Sequence, residues 1–221
     1  IMPILMGVLG DPVQYVRQVA EHSIVRLREK AFPYLEKKLK DVRDTHEKAA
    51  IVEMMGKIQD KRALPILYSL LSDSRIQMKC SLALKEFGPD IIPALIPMLR
   101  DAEKEKGVIM ALKAMGYKAL SYLMDVVRKP KKNREEIEQC KLILSVFGKY
   151  QTEQSIKFLF EIVGDNEQIL RNAAWDTLAT MGSPVLPYLG KLYLDTGGGY
   201  HEKVKTVDRK STRLNSSHVS Q

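Results

Sequence analysis

A proline followed eight residues later by an aspartate recurs along this chain, and that spacing constrains the fold more than any bulk property. Pro3 precedes Asp11 in this way, Pro33 precedes Asp41, Pro65 precedes Asp73, Pro93 precedes Asp101 and Pro187 precedes Asp195. Ser121 to Lys129 and Lys157 to Asp165 keep the frame with one or both markers replaced. The clearest copy, Ala63-Leu64-Pro65-Ile66-Leu67-Tyr68-Ser69-Leu70-Leu71-Ser72-Asp73, reads as a short amphipathic helix. Proline suits its opening turn, where the missing amide has no intrahelical partner to lose. A second marker, glycine after a bulky apolar residue, falls at Gly56, Gly88, Gly116, Gly148 and Gly182, spaced 32, 28, 32 and 34 residues apart. Leu27-Arg28 takes that place in the first full copy. Glycine just past an apolar stripe is the expected helix stop, because it enters the left-handed region cheaply.

Counting from these markers gives the two stripes of a repeating unit. Four residues before each stop stand Ile24, Val52, Leu84, Leu112, Leu144 and Leu178. One before stand Leu27, Met55, Phe87, Met115, Phe147 and Met181, and eight before stand Ala20, Lys48, Cys80, Val108, Cys140 and Ala174. Those offsets share one helical face. Lys48 breaks the pattern, so its stem is expected along the core with its amine in water. In the second helix a leucine stands two residues after every proline position: Leu5, Leu35, Leu67, Leu95, Leu123, Leu159 and Leu189. Phe32, Leu64, Ile92, Leu120, Ile156 and Leu186, one residue before, complete that stripe. In the 63–73 copy, Leu67, Leu70 and Leu71 are assigned to the core, and Ser69 and Ser72 to the open face.

The unit is therefore helix, Gly-marked turn, helix, Asp-marked turn. Six pairs are expected, at 12–40, 43–72, 74–100, 102–128, 133–164 and 166–194. A single helix cannot bury its stripe alone, so stacked neighbours must complete an all-α solenoid. The chain opens inside the second helix of a further pair, which reads as a truncated repeat. The array spans 1–195, a Gly-rich linker or loop 196–207, and a tail 208–221 that has no apolar period and resembles translated sequencing adapter.

Apolar residues make up 45% of the chain, enough for a long core, yet no run approaches the roughly 20 residues that cross a bilayer. The net charge of +8 favours anionic partners without naming one. Cys80 and Cys140 occupy the same slot two repeats apart, beyond disulfide reach, so both are expected as reduced core thiols in a cytoplasmic protein. The four histidines show no ligand spacing, and no metal or cofactor is expected.

Asp165 through Leu170-Arg171 and Ala174 to Met181-Gly182 resembles a HEAT-like repeat of the bilin-lyase type. So do Asp11 through Val16-Arg17 to Ala20, and Ala63-Leu64-Pro65-Ile66-Leu67. Thr45, Gln77 and Glu105 replace the arginine in three middle copies, so any inter-repeat Asp–Arg ladder is incomplete. The resemblance implies a right-handed α-α superhelix whose second helices line a concave face, used as a non-catalytic protein-binding scaffold. It also admits a nucleic-acid-binding or alkylation-repair module, and a bilin lyase component.

On that face the expected partner-binding residues are Tyr34, Lys37, Lys40, Tyr68, Arg100, Tyr122, Arg128, Phe158, Tyr188 and Lys191. Positions four and seven after the proline carry five positive and two negative charges, a mildly basic groove or simply a solvated face. The aromatic positions serve either as packing between repeats or as binding anchors. Arg128-Lys129-Pro130-Lys131-Lys132-Asn133-Arg134 is the densest basic run, a solvated loop or a phosphate contact. Trp175-Asp176 could line a pocket for a flipped base, or Trp175 could simply flank the core.

Overall fold

The computed structural model describes residues 2–195, the side chains of 191–195 excepted. The expected linker and tail lie outside the described residues, as do the side chains of Lys191 and Tyr193. The fold is all-α, with thirteen α-helices and no strand among the described residues. Helix α1 (Met2–Gly7) opens the chain. The pairs follow as α2 (Gln14–Leu27) with α3 (Phe32–Asp41), α4 (Thr45–Ile58) with α5 (Leu64–Leu70), and α6 (Gln77–Glu86) with α7 (Ile92–Leu95). Then come α8 (Ala102–Met115) with α9 (Tyr117–Arg128), α10 (Arg134–Tyr150) with α11 (Glu153–Val163), and α12 (Gln168–Met181) with α13 (Leu186–Asp195). Helix α7 tightens after one turn into a 3-10 segment, Ile96–Arg100. Pro97 has no amide to donate to the carbonyl four residues back, and its ring crowds that carbonyl.

Contacts divide the described residues into two compact units, one ending at Ala119 and the other beginning at Leu120. In the first, α4 packs on α2 and α6, and α6 packs on α8; in the second, α10 packs on α12. First helices thus stack on first helices, the packing of a solenoid. The stack is parallel, since Glu53 meets Lys79 and, a turn later, Gly56 meets Ala83. The expected stripes form the core. All six residues at four before the stop are buried, including Ile24, Val52, Leu84 and Leu112 at 0% exposure. Leu35, Leu67, Leu95 and Leu123 do the same for the second helices. Leu70 is only half-buried, and Leu186 is 41% exposed, both outside the core to which the frame assigned them. Cys80 and Cys140 are buried free thiols, and burial pushes the Cys80 thiol up to about 12.

The glycine marker has two structural roles. Gly88, Gly116 and Gly182 sit at φ of 77°, 62° and 72° and end their helices. Gly56 and Gly148 do not; α4 and α10 run past them to stop at left-handed Gln59 and Gln151. Gly56 is there for close approach, because a Cβ on it would lie 2.6 Å from Ala83 Cα. Arg28 holds φ 48° and ψ −128°, close to the Gly116 and Gly182 geometry, without glycine's freedom.

The recurrent aspartate caps the loop that enters the next pair. The carboxylates of Asp11, Asp73, Asp101 and Asp165 each accept the amide two residues on, at 2.8, 3.2, 3.1 and 2.8 Å. After Asp41 the role passes to Asp44, which caps α4 through the Glu47 amide. The two arginines of the HEAT-like resemblance bond to main chain rather than to a carboxylate ladder. Arg17 donates to the carbonyls of Asp11 and Pro12, and Arg171 donates to those of Asp165 and Asn166. Gln77, in the same slot, is buried and donates to Leu71 O at 2.6 Å. The Lys48 amine, expected in water, instead meets Asp73 at 3.0 Å with its side chain 22% exposed.

Arg28→Gly is expected to raise stability by about 1 kcal/mol or more by releasing backbone strain. Gly56→Ala is expected to cost about 1–3 kcal/mol despite alanine's higher helix propensity, because the added carbon meets backbone. Urea midpoints of the two variants check both signs. The Arg75 guanidinium and then the Lys48 ammonium hold the Asp73 carboxyl far below the usual carboxylate range. A depressed folded value contributes stability above the unfolded pKa of about 3.9, and that contribution is lost as pH falls below it. Asp73→Asn is therefore expected to lose about 1.5–3 kcal/mol at pH 7. Urea melts at pH 7 and near pH 2.5 should show the gap narrowing in acid.

Candidate functional site

The second helices carry the residues singled out in the sequence, and they behave differently in the two units. In residues 1–119, α3 packs on α1 and on the turn Lys61–Ala63 that leads into α5. That turn is fixed by Arg62, which is held by the Asp60 carboxylate, lies 4.8 Å over the Phe32 ring and donates to Glu29 O. With α3 so anchored, Tyr34 projects 46% exposed and Lys37 is exposed beside it. Lys40 is exposed but bridges Glu36 on its own helix at 2.9 Å. On α5, Tyr68 and Ile66 are half-buried, and burial raises the Tyr68 hydroxyl above its ordinary value. Pro65, Ser69, Ala94, Pro97 and Arg100 are exposed along the same second-helix series. This face is aromatic and apolar with few charges, and Lys37 and Arg100 make no ion pair among the described residues.

In residues 120–195 the corresponding positions are turned toward each other. Arg128 makes a two-pronged pair with Glu161 at 2.8 and 2.7 Å, and its guanidinium lies 5.1 Å over the Phe158 ring. The pair lowers Glu161 and raises Arg128. Phe158, expected as a partner contact, is only 2% exposed and packs on Phe147 with ring centroids 4.8 Å apart. It is a core residue. Its slot lies next to the apolar stripe, and in this pair the α11 helix turns that slot inward. Tyr122 and Tyr188 are half-buried. Lys157 and, to a lesser degree, the Tyr188 hydroxyl hold Glu153 below the usual carboxylate range.

Trp175 is placed at the core. It is 6% exposed and meets the Phe160 ring edge-on at 6.3 Å. In the basic run, Lys131 donates to Val127 O, and Glu136 accepts the Lys132 amide at 2.7 Å. The run therefore closes α9 and opens α10, leaving Lys129, Lys132 and Arg134 exposed.

One cleft had no signal in the frame. A cavity of about 420 Å³ lies between the N-terminal ends of α2 and α4, lined by Asp11, Arg17, Glu21, Asp44, His46 and Glu47 among others. Its charges already serve the fold. Arg17 holds two carbonyls, Asp11 and Asp44 hold amides, and Glu47 pairs with Lys38 at 2.8 Å. No group of three potential metal-ligating side chains occurs among the described residues. Nor is any helix there long and apolar enough to cross a membrane.

No family model matches the chain, and neither does any curated protein. Among solved structures it is similar to human deoxyhypusine hydroxylase in complex with glycerol, at 17% identity. The match covers 96% of this chain and 84% of that one, with a TM-score of 0.35. That protein is by its name an enzyme, and this corrects the expectation that the chain is not one; the non-catalytic reading, drawn from missing motifs, is withdrawn. A likeness this distant transfers no residue role, substrate or cofactor.

Phe158→Ala is expected to cost about 3–5 kcal/mol as a core truncation. Tyr34→Ala should stay within about 0.5 kcal/mol as a surface change. Chemical denaturation of the two variants side by side separates core from surface.

Proposed function

We propose that this chain is a HEAT-like repeat module that binds a protein partner on the second-helix face of residues 1–119. The observation that carries the reading is the exposure of Tyr34 beside half-buried Tyr68 and Ile66, flanked by exposed prolines and by Lys37 and Arg100, which make no ion pair among the described residues. Tyrosine supplies a large, rigid, amphipathic contact at little entropic cost, which is why it is enriched at interface centres. Prolines on this face add rigidity, so little ordering entropy is lost on docking. The matching positions of residues 120–195 support no such surface. There Arg128 is already held by Glu161, and Phe158 is already in the core.

A peptide library selected against the full chain tests the reading. The selected peptide is expected to lose about tenfold or more in affinity on Tyr34→Ala or Tyr68→Ala, as interface anchors do. It should be indifferent to Tyr15→Ala, an equally prominent tyrosine that is 73% exposed on the first-helix face. Thermal melts check that the Tyr68 variant still folds. Binding that survives both α3 and α5 changes and is lost with Tyr15 would place the partner on the other face.

A further inference from the structure

The charge excess is not spread evenly. Residues 1–119 carry twenty Lys and Arg against fifteen Asp and Glu, whereas residues 120–195 carry ten of each. Within 1–119 the excess gathers on the edge formed by the Gly-marked turns. Arg28, Lys30, Lys61, Lys85, Lys113 and Lys118 are all exposed there, and none forms an ion pair among the described residues. Exposed acids on that edge are fewer: Glu29, Glu86 and Asp90. The opposite edge, where the pairs join, is instead rich in carboxylates that cap helices and loops, Asp11, Asp44, Asp73 and Asp101 among them.

Part of this polarity is local physics. First helices end at the Gly-marked turns, and cations favour helix C-termini. That accounts for one cation per turn close to the helix end. It does not account for Lys30, Lys61 and Lys118, which lie beyond the end, where second helices begin and a cation is disfavoured.

The turns are also held in line. Arg62 of the second turn donates to Glu29 O of the first, and Gln59 donates to Glu86 O beside the third. Parallel packing of α6 on α8 places the fourth beside them. Like helices in a stack lie roughly 8–10 Å apart, so four turns, three spacings, cover about 24–30 Å. That is close to one turn of a nucleic-acid duplex, roughly 34 Å.

We propose that this edge of residues 1–119 binds the phosphate backbone of a nucleic-acid duplex, without reading its sequence. A row of long, solvated, unpaired cations offers what counterion release requires. It has no buried apolar centre of the kind a protein interface needs, so it suits a polyanion better than an acidic protein. The row shares no residue with the Tyr34 and Tyr68 face, so either reading can fail without the other.

The test is fluorescence anisotropy of a labelled 20-base-pair duplex with the full chain. Affinity is expected to fall about 10³-fold between 50 and 200 mM salt, as six phosphate contacts imply. The triple variant Lys30→Gln, Lys61→Gln, Lys85→Gln should flatten the log–log salt slope by about one unit per cation removed. Lys104→Gln with Lys106→Gln, on the opposite edge, should change nothing. All five side chains are at or near the surface, and melting curves confirm that the variants fold. Three results overturn the proposal: no binding at 50 mM salt; loss of binding only when Arg209, Lys210 and Arg213 are changed to Gln; or displacement of the duplex by phosphatidylserine vesicles or polyglutamate as effective, per charge, as unlabelled duplex.

Discussion

The close approach of one first helix to the next is what the rest of this structure depends on. Each helix has a single apolar stripe and cannot bury it alone. Burial becomes possible only where side chains at the crossing are small enough for the next helix to settle. At α4 and α6 the allowance is one hydrogen atom: Gly56 faces Ala83 with no room for a methyl group. The same condition recurs at α10 and α12, where a Cβ on Gly148 would lie 2.8 Å from the Thr177 methyl. Once the helices seat, Ile51, Val52, Met55 and Leu84 leave water together. Removing apolar area from water at about 25 cal/mol per Å² is the main return on the ordering entropy.

The connections then need only be self-contained. The loops between pairs are capped through an aspartate on a nearby amide, with Asn133 in its place before α10, and, in two copies, an arginine on nearby carbonyls. Because Arg17 and Arg171 bond to main chain, any donor of suitable reach can replace them, and Gln77 does so while remaining buried. This explains how the copy that carries Gln77 loses the arginine and keeps its loop. The turns within pairs are tied to their neighbours instead, through Arg62 on Glu29 and Gln59 on Glu86. In residues 1–119 the edge of these turns is cross-linked from turn to turn and carries spare positive charge, while the opposite edge combines local caps with the Lys48–Asp73 pair between repeats.

The two units meet the same pattern with different electrostatics. In residues 120–195 cations and acids are equal in number, and Arg128 pairs with Glu161 on α11 while covering the Phe158 ring beneath. In residues 1–119 the cations outnumber the acids, and pairing leaves some of them without partners. Residues 1–119 thus carry two surfaces with spare interaction capacity: an aromatic face on the second helices and a basic edge at the turns.

The helix pairs, their boundaries and nearly all of the core were legible in the chain, because a helical stripe is a local, periodic property fixed by spacing. Proline and aspartate mark the ends for equally local reasons, one through a missing amide and the other through a short side chain that reaches an amide two residues on. The division of the glycines was not legible. A glycine that turns the chain and one that admits a neighbouring helix look the same in sequence, and only the position of Ala83 shows which Gly56 is. The fate of the aromatic positions was equally hidden. Tyr34 and Phe158 hold the same slot, yet one is nearly half-exposed and the other buried. Slot periodicity fixes the direction of a side chain about its own helix axis, whereas burial depends on what another helix, distant in sequence, places in front of it.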